Sequence, residues 1–204
     1  IKEDDILNLA IIAIPCGLIG ARLYYVIFNW SYYSGNISEI LNFRGGGMAI
    51  HGGLLGGVLA GYIYTKVKKL NFFKMADCVV LGIPLAQAIG RWGNYLNKEA
   101  HGGPTDLPWG IMVDGVKVHP TFLYESIWDL GVFIFLMLFR KKQKYEGQIL
   151  VYYITLYSIG RFFIEGLRTD SLMLGPLRMA QVISLGFILI GVILNYVLSK
   201  KNKR

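Results

Sequence analysis

Arginine and asparagine side chains at the end of an apolar run are the first candidates for chemistry in this sequence. Residues 75–89 are mostly apolar, and Arg91, Asn94 and Asn97 follow them directly. If a helix continues at about 100° per residue, Gly90, Asn94 and Asn97 share one face and Arg91 lies beside it. A central arginine costs roughly 2.5–3.5 kcal/mol on membrane-insertion scales. These groups therefore either face a cavity, a partner or a ligand, or Arg91 extends to the lipid headgroups while the asparagines seal helix contacts.

A second polar stripe interrupts a later apolar run. Tyr157, Arg161, Glu165 and Arg168 are four, four and three residues apart, so they fall on one side of a helix. Arg161 and Glu165 alone could be an ion pair that neutralises itself. Two arginines from separate helices at one membrane depth are harder to explain that way. A planar guanidinium, which is always charged, can bind a phosphate through two parallel hydrogen bonds.

Histidines stand where two further apolar runs begin. His51 lies among glycines, and it is either a hydrogen-bonded structural residue or a functional group. His119 and Pro120 predict the start of a helix. Tyr124 and Glu125 follow as polar lining, and the alternative role of Glu125 is that of a charge partner for one of the arginines.

Composition places the chain in the membrane. Hydrophobic residues make up 54% of the 204 residues, and the mean hydropathy of +0.46 is that of a polytopic membrane protein. The net charge of +8 comes from short basic clusters between apolar runs, which argues against nucleic acid as a partner. Cys16 and Cys78 both lie within apolar runs, which argues against a disulfide or a cysteine-rich metal site.

The predicted fold is all-α, a polytopic transmembrane helix bundle formed by residues 1–204 as one integral membrane domain. Six apolar runs are close to the roughly 20 residues that a bilayer requires: 6–28, 49–65, 75–95, 121–139, 149–167 and 179–198. The second run is short, and its glycines suit close contacts between helices. Arg22, near the end of the first run, is explained by extension of its side chain to the headgroups.

Basic residues predict the orientation of these spans. Lysines and arginines cluster after the second, fourth and sixth runs, so those ends are predicted to be cytoplasmic. Segments 29–48, 98–120 and 168–178 would then lie outside, the first two as arms or a cap over a cavity. Because most of the unusual polar residues lie near these segments, the active side is predicted to be outside.

A resemblance to a known family rests on the stretch that starts at Gly90. The pattern G-R-x-G-N-[FY]-x-N-x-E-x-x-G resembles that of the prolipoprotein diacylglyceryl transferases, bacterial membrane enzymes that lipidate lipoprotein precursors. Three further elements are similar: G-G-M-x-x-H-G-G at residues 46–53, H-P-x-x-L-Y-E at 119–125 and Y-x-x-x-R-x-x-x-E-x-x-R-x-D at 157–170. The likeness covers residues 6 to about 198. The family is described with seven spans, so we expect that a first span precedes this chain.

The resemblance implies transfer of diacylglyceryl from phosphatidylglycerol to the lipobox cysteine of a prolipoprotein signal peptide, in the bacterial cytoplasmic (inner) membrane. The thiol would form a thioether and release glycerol phosphate, without a cofactor or metal. The implied catalytic residues are His51, Arg91, Tyr157, Arg161 and Glu165. Those implied for phosphatidylglycerol binding are Arg91, Asn94, Asn97, Glu99, Gly102, Arg161 and Arg168.

The residues themselves leave two other classes open. A transporter of a small anionic solute or lipid would use buried arginine and glutamate as a path, and it predicts polar groups in both halves of the membrane. The cytoplasmic halves of the third and fifth runs are instead largely apolar. A scaffold gives no reason for arginines at two membrane sites. Patterns for an acyl-enzyme or metal mechanism, such as G-x-S-x-G and H-E-x-x-H, do not occur in the sequence.

Overall fold

The computed structural model describes the backbone of residues 1–201 and the side chains of residues 1–36, 38–43 and 45–200. Lys203 and Arg204, from the predicted C-terminal basic cluster, lie outside the described residues. The chain forms two compact units, Ile1–Met75 and a second unit that begins at Ala76. Each unit is described separately.

The first unit is built on two helices that pack through glycines. It contains α1 (Glu3–Phe28), α2 (Trp30–Tyr33), α3 (Ile37–Ile40), a 3-10 turn (Phe43–Gly45), α4 (Ile50–Val67) and the start of α5 (Phe72–Val80). A side chain at Gly52 would collide with the Gly20 carbonyl, and one at Gly56 would collide with the Cys16 carbonyl. The backbones of α1 and α4 thus approach as closely as the glycine spacing predicts.

Arg22 of α1 has a structural role that differs from the prediction. Its side chain does not extend to the headgroups: the residue is 3% exposed and donates to four backbone carbonyls. The acceptors are Glu39 at 2.5 Å, Ile40 at 3.0 Å, Gly46 at 2.6 Å and Gly47 at 2.8 Å. The guanidinium also lies 5.1 Å from the centre of the Tyr33 ring. The segment between α1 and α4 is therefore folded around one buried cation, since four acceptors replace the water it gave up.

The second unit continues with helices that pack in chain order. After the end of α5 it contains α6 (Ile83–Leu96), a hairpin of β1 (Ile111–Val113) and β2 (Val116–Val118), α7 (Thr121–Phe139), a 3-10 turn (Arg140–Lys142), α8 (Gln148–Glu165), a short hairpin of β3 (Met173–Leu174) and β4 (Leu177–Arg178), and α9 (Met179–Lys201). Helix α6 packs on α7, α7 on α8, and α8 on α9. Val80, Val132, Leu136 and Ile149 form the buried core. This order brings the polar residues of α6, α7 and α8 to one region.

The predicted third span is broken. The hydropathy of residues 75–95 predicts one span, but the structure has two helices there, α5 and α6, at an angle of 42°. Pro84 lies in the first turn of α6, and Gly82 precedes that helix. Proline cannot donate the backbone hydrogen bond that a continuous helix needs, but it fits at a helix start. Pro120 likewise precedes α7, at the predicted helix entry.

The helices agree with an all-α polytopic membrane fold. Three of the described helices are long and apolar enough to cross a bilayer, and α5 with α6 adds a fourth if the bent pair is one span. The three are Glu3–Phe28, Thr121–Lys142 and Met179–Lys200. Helices α4 and α8 have 18 residues each, and that they complete six crossings stays a prediction. The outside location of segments 29–48 and 98–120 also stays a prediction.

A buried aspartate on α5 caps the start of α8. Asp77 is 5% exposed; its carboxylate accepts from the backbone N–H groups of Gly147 at 2.6 Å and Leu150 at 2.8 Å, and from Gln143 Nε2 at 2.5 Å. Gly147 precedes α8 with a φ of +92° and provides no side-chain cap of its own. Asp77 therefore satisfies backbone donors that every helix start leaves free.

We expect Asp77→Ala to destabilise the second unit, because buried N–H groups would lose their acceptor. The loss should be about 1–3 kcal/mol, the usual cost of unsatisfied buried donors. Equilibrium unfolding in mixed SDS micelles measures it, with Asp106→Ala as the control because Asp106 is exposed. Equal stability of the two variants would contradict the capping role.

Candidate functional site

One buried glutamate joins two arginines in the second unit. Glu125 of α7 is 5% exposed. Its Oε2 lies 2.6 Å from Nε of Arg91 on α6, and its Oε1 lies 2.5 Å from Nη1 of Arg161 on α8. The two guanidinium groups thus contact opposite oxygens of one carboxylate. Their side chains remain 21% and 20% exposed, so both are accessible from outside the protein.

Glu125, Arg91 and Arg161 are the centre of a charged cluster. Residues of the polar stripe on α8, and of the loop after it, extend this cluster. Arg161 Nη2 lies 2.6 Å from Glu165 Oε2, and Ser171 donates to the other oxygen of Glu165. Arg168 donates to both oxygens of Asp170, at 3.0 and 2.7 Å. These hydrogen bonds from Arg168 hold the pKa of Asp170 below its usual range. Arg168 also approaches Glu125 at 4.0 Å, so three arginines surround that carboxylate.

Tyr157 completes the stripe at the side of Arg91. Its hydroxyl accepts a hydrogen bond from Arg91 Nη2 at 3.3 Å. Four residues predicted from their helical spacing, namely Tyr157, Arg161, Glu165 and Arg168, therefore meet Arg91 around Glu125. The predicted ion pair between Arg161 and Glu165 exists, but it is one part of a larger network.

The asparagines after Arg91 orient a different carboxylate. Helix α6 ends at Leu96, and the side-chain amides of Asn94 and Asn97 both donate to Glu99 Oε1 at 3.1 Å. Beside them is a cavity of about 240 Å³ lined by polar and apolar side chains, among them Asn94, Lys98, Glu99, His101, Met112 and Phe122. The mixed lining can accommodate a ligand with both polar and apolar parts.

Gly102 is fixed by the surrounding backbone. Its N–H donates to the His119 carbonyl, and it pairs with Arg168 as an isolated β-bridge. An added Cβ would lie 2.6 Å from the His119 Cβ and 3.0 Å from the Leu167 carbonyl. Glycine at this position therefore allows the chain to pass close to Arg168. Gly102 thus helps to position the backbone at Arg168.

Asp129 is the residue of the cluster that sequence reasoning missed. It lies one helical turn after Glu125 on α7 and is 2% exposed. Its Oδ2 is 3.9 Å from Arg91 Nε and has no hydrogen-bond partner within the part of the chain that the structure describes. The available signal was the pair of acids four residues apart in an otherwise apolar helix, because acids inside membrane helices usually mark function. The sequence predicts Glu125 as polar lining or as the partner of one arginine, whereas in the structure it pairs with two.

His51 belongs to the first unit. It lies in the first turn of α4, its side chain is exposed, and its ring centre is 6.2 Å from that of Tyr24. Gly52, the next residue, packs against α1, so the start of this helix is fixed within the unit. A functional role for His51 stays a prediction.

The cluster around Glu125 can bind an anion through arginine N–H groups that are already oriented. Several of its contacts are close ion pairs without a good hydrogen-bond angle. Arg91 Nε, Glu125 Oε2 and Glu165 Oε2 are buried and form no hydrogen bond with the residues that the structure describes. Such donors and acceptors are available for a better-placed partner. Among the described residues, no group of three or more His, Cys, Asp or Glu is arranged to hold a metal ion.

Comparisons with known proteins identify the family. The family model for prolipoprotein diacylglyceryl transferase matches residues 1–197. A phosphatidylglycerol–prolipoprotein diacylglyceryl transferase of Clostridioides difficile (strain 630) is 78% identical over 203 residues, covering 100% of this chain and 82% of that protein. The enzymes of the same name from Finegoldia magna and Bacillus cytotoxicus are 54% and 50% identical, and each alignment covers 95% of this chain and 79% or 76% of the relative. The chain belongs to the prolipoprotein diacylglyceryl transferase family.

Proposed function

We propose that this protein transfers the diacylglyceryl group of phosphatidylglycerol to the lipobox cysteine of a prolipoprotein. The thiol sulfur attacks the glyceryl carbon that carries the phosphate, the C–O bond breaks, and glycerol phosphate leaves. The product is a thioether, and the thiol proton passes to a base or to water. Family membership and the names of relatives up to 78% identical support this reaction.

The convergence of Arg91 and Arg161 on Glu125 is the observation that carries the chemical proposal. Two guanidinium groups that each contact one oxygen of the same carboxylate can also donate to the oxygens of one phosphate. They would hold the phosphodiester and offset the charge that grows on its oxygen as the C–O bond breaks. Because this charge develops mainly in the transition state, oriented donors accelerate the reaction itself.

The remaining predicted residues have supporting roles in this proposal. Asn94 and Asn97 orient the headgroup, either directly or through Glu99, which both amides already contact. Arg168 adds positive charge at the phosphate. His51 assists loss of the thiol proton, and Glu99, Glu165 and Tyr157 are the alternative acceptors. A free thiol has a pKa of about 8.5, so ionising it at pH 7 costs only about 2 kcal/mol.

The direct test is transfer of radiolabelled glycerol from phosphatidylglycerol to a synthetic lipobox peptide by purified protein. Label should appear on the peptide in a form that withstands mild alkaline hydrolysis of esters, since a thioether does not hydrolyse. A peptide with Cys→Ser is the control for the acceptor atom. Equal labelling of both peptides, or of neither, would contradict the proposal.

We further propose that the protein lies in the bacterial cytoplasmic (inner) membrane with its active side outside. Basic residues at Lys66–Lys69, Arg140–Lys144 and the C-terminal end support this orientation. Segments 98–120 and 168–178, which adjoin the arginine cluster, would then be outside.

Cysteine labelling tests this orientation. Single cysteines at Lys69, Lys142, Asp106 and Asp114, all exposed, can replace the native residue in a Cys16→Ala, Cys78→Ala background. On intact cells an impermeant thiol reagent should label the two aspartate positions, and it should label the lysine positions only after permeabilisation. The opposite pattern would reverse the orientation.

A further inference from the structure

Asp129 is a buried carboxylate that forms no close ion pair, and one of its oxygens, Oδ2, accepts no hydrogen bond from the described residues. Glu125 gives both oxygens to arginines at 2.5 and 2.6 Å, and Glu165 and Asp170 are also closely paired. Among the described residues, Arg91 is the cation that approaches Asp129 within 4 Å: its Nε lies 3.9 Å from Asp129 Oδ2. At 2% exposure it is screened little by water, so in its ionised form its field acts on any anion that Arg91 binds.

The proposed reaction, on which this inference rests, presents the arginines with two different anions. Phosphatidylglycerol is a phosphodiester with one negative charge. Glycerol phosphate is a monoester whose second pKa is about 6, so it carries nearly two negative charges at pH 7 and above. An arginine pair without opposing charge would bind the product more tightly than the substrate. Turnover would then be limited by product release.

We propose that Asp129 determines the charge selectivity of this site: it disfavours the dianionic phosphomonoester relative to the monoanionic phosphodiester and so promotes release of glycerol phosphate. Repulsion from a fixed carboxylate acts on both anions, but it is about twice as large for the dianion. Asp129 acts through charge alone, as the geometry provides no donor with which it could bind a phosphate. It is a specificity residue, while Arg91 and Arg161 contact the substrate.

The test measures binding separately from transfer. Detergent-solubilised wild type and Asp129→Asn are titrated at pH 8 by calorimetry with glycerol phosphate as the monoester and glycerophosphoglycerol as the diester. Removing the charge should tighten monoester binding more than diester binding, shifting the ratio of the two Kd values by roughly tenfold, as expected for one unit charge within about 10 Å at an effective dielectric constant of about 20. Glycerol phosphate should also inhibit the variant at correspondingly lower concentration.

Two matched variants separate charge from structure. Asp129→Glu keeps the charge and should keep the wild-type ratio. Asp114→Asn makes the same charge change at an exposed turn residue with a φ of +48°, which asparagine also tolerates, and it should leave the ratio unchanged. A purely structural role for Asp129 would lower the affinity for both probes together and would not change their ratio.

Three results would overturn the inference. They are an unchanged ratio in folded Asp129→Asn, failure of wild type to bind either probe, and a wild type that binds the monoester more than about tenfold more tightly than the diester. The last needs no variant to fold. Absence of transfer to the lipobox peptide, by contrast, would overturn the proposed function and leave the binding ratios as measured.

Discussion

Replacing Arg91 or Arg161 by lysine is expected to reduce diacylglyceryl transfer by about 10²-fold or more while the protein still inserts and purifies normally. Lysine keeps the positive charge, but it loses the planar pair of donors that can hold Glu125 and a phosphate together. Removing one oriented donor to a developing oxyanion typically costs 10²–10³ in kcat. The rate of transfer to the lipobox peptide, measured at saturating phosphatidylglycerol, gives this loss directly.

The arginine variants need a control for assembly, because each arginine also neutralises buried Glu125. Monodispersity in detergent and thermal unfolding should be measured beside activity. Arg140→Lys is the matched control, as Arg140 is exposed in the turn after α7. Normal turnover of both Arg91→Lys and Arg161→Lys would show that charge alone suffices and would contradict phosphate binding through paired N–H groups.

The second large effect is expected for His51→Gln, which should lower transfer by roughly 10²–10⁴-fold at pH 7, the usual contribution of a general base. Imidazole is the ordinary side chain best suited to accept a proton near neutrality. Raising the pH ionises the peptide thiol directly, so part of the lost rate should return between pH 7 and 9. The ratio of wild-type to variant rates, measured across that range, is the diagnostic quantity.

A structural His51 would give another pattern. Its ring lies near Tyr24 and its neighbour Gly52 packs on α1, so a structural loss would lower thermal stability and would not be rescued at high pH. A stable His51→Gln protein with normal activity at pH 7 would exclude the base role. Glu99→Gln and Glu165→Gln would then be the next variants to examine.

Much of the cluster could be predicted because helical spacing is a local property. The four-residue steps from Tyr157 to Glu165 require only that α8 be a helix, and α8 ends at Glu165 as one continuous helix. The pairing of Arg91 and Arg161 with the same carboxylate is not a local property. It depends on the packing of α6 and α8 against α7, which no pattern within one helix specifies. The basic clusters predicted that both arginines lie at one membrane depth, and the family resemblance implied that both bind phosphatidylglycerol, but neither specified that they share Glu125.

The parts that were missed depend on packing. Asp129 could be noticed in the sequence, but its burial beside Arg91 follows from how α6 lies on α7. The break before α6 was missed because the mean hydropathy of a long window is little changed by Gly82 and Pro84. Proline and glycine close together nevertheless indicate a helix end. The prediction for Arg22 was wrong because its acceptors are backbone carbonyls of a loop. Every residue has a backbone carbonyl, so the sequence does not show which carbonyls will surround an arginine.

The enclosure of Arg22 by backbone carbonyls that are close in sequence has a consequence for the biosynthesis of the protein. All four carbonyl acceptors lie within 25 residues of Arg22 along the chain. The ring that stacks on it, Tyr33, is closer still. The carbonyl acceptors can therefore surround the cation as soon as Gly47 leaves the ribosome, before α4 has emerged from it. Since an arginine in a membrane helix costs about 2.5–3.5 kcal/mol to insert, such early closure lets α1 enter the bilayer without waiting for a partner helix.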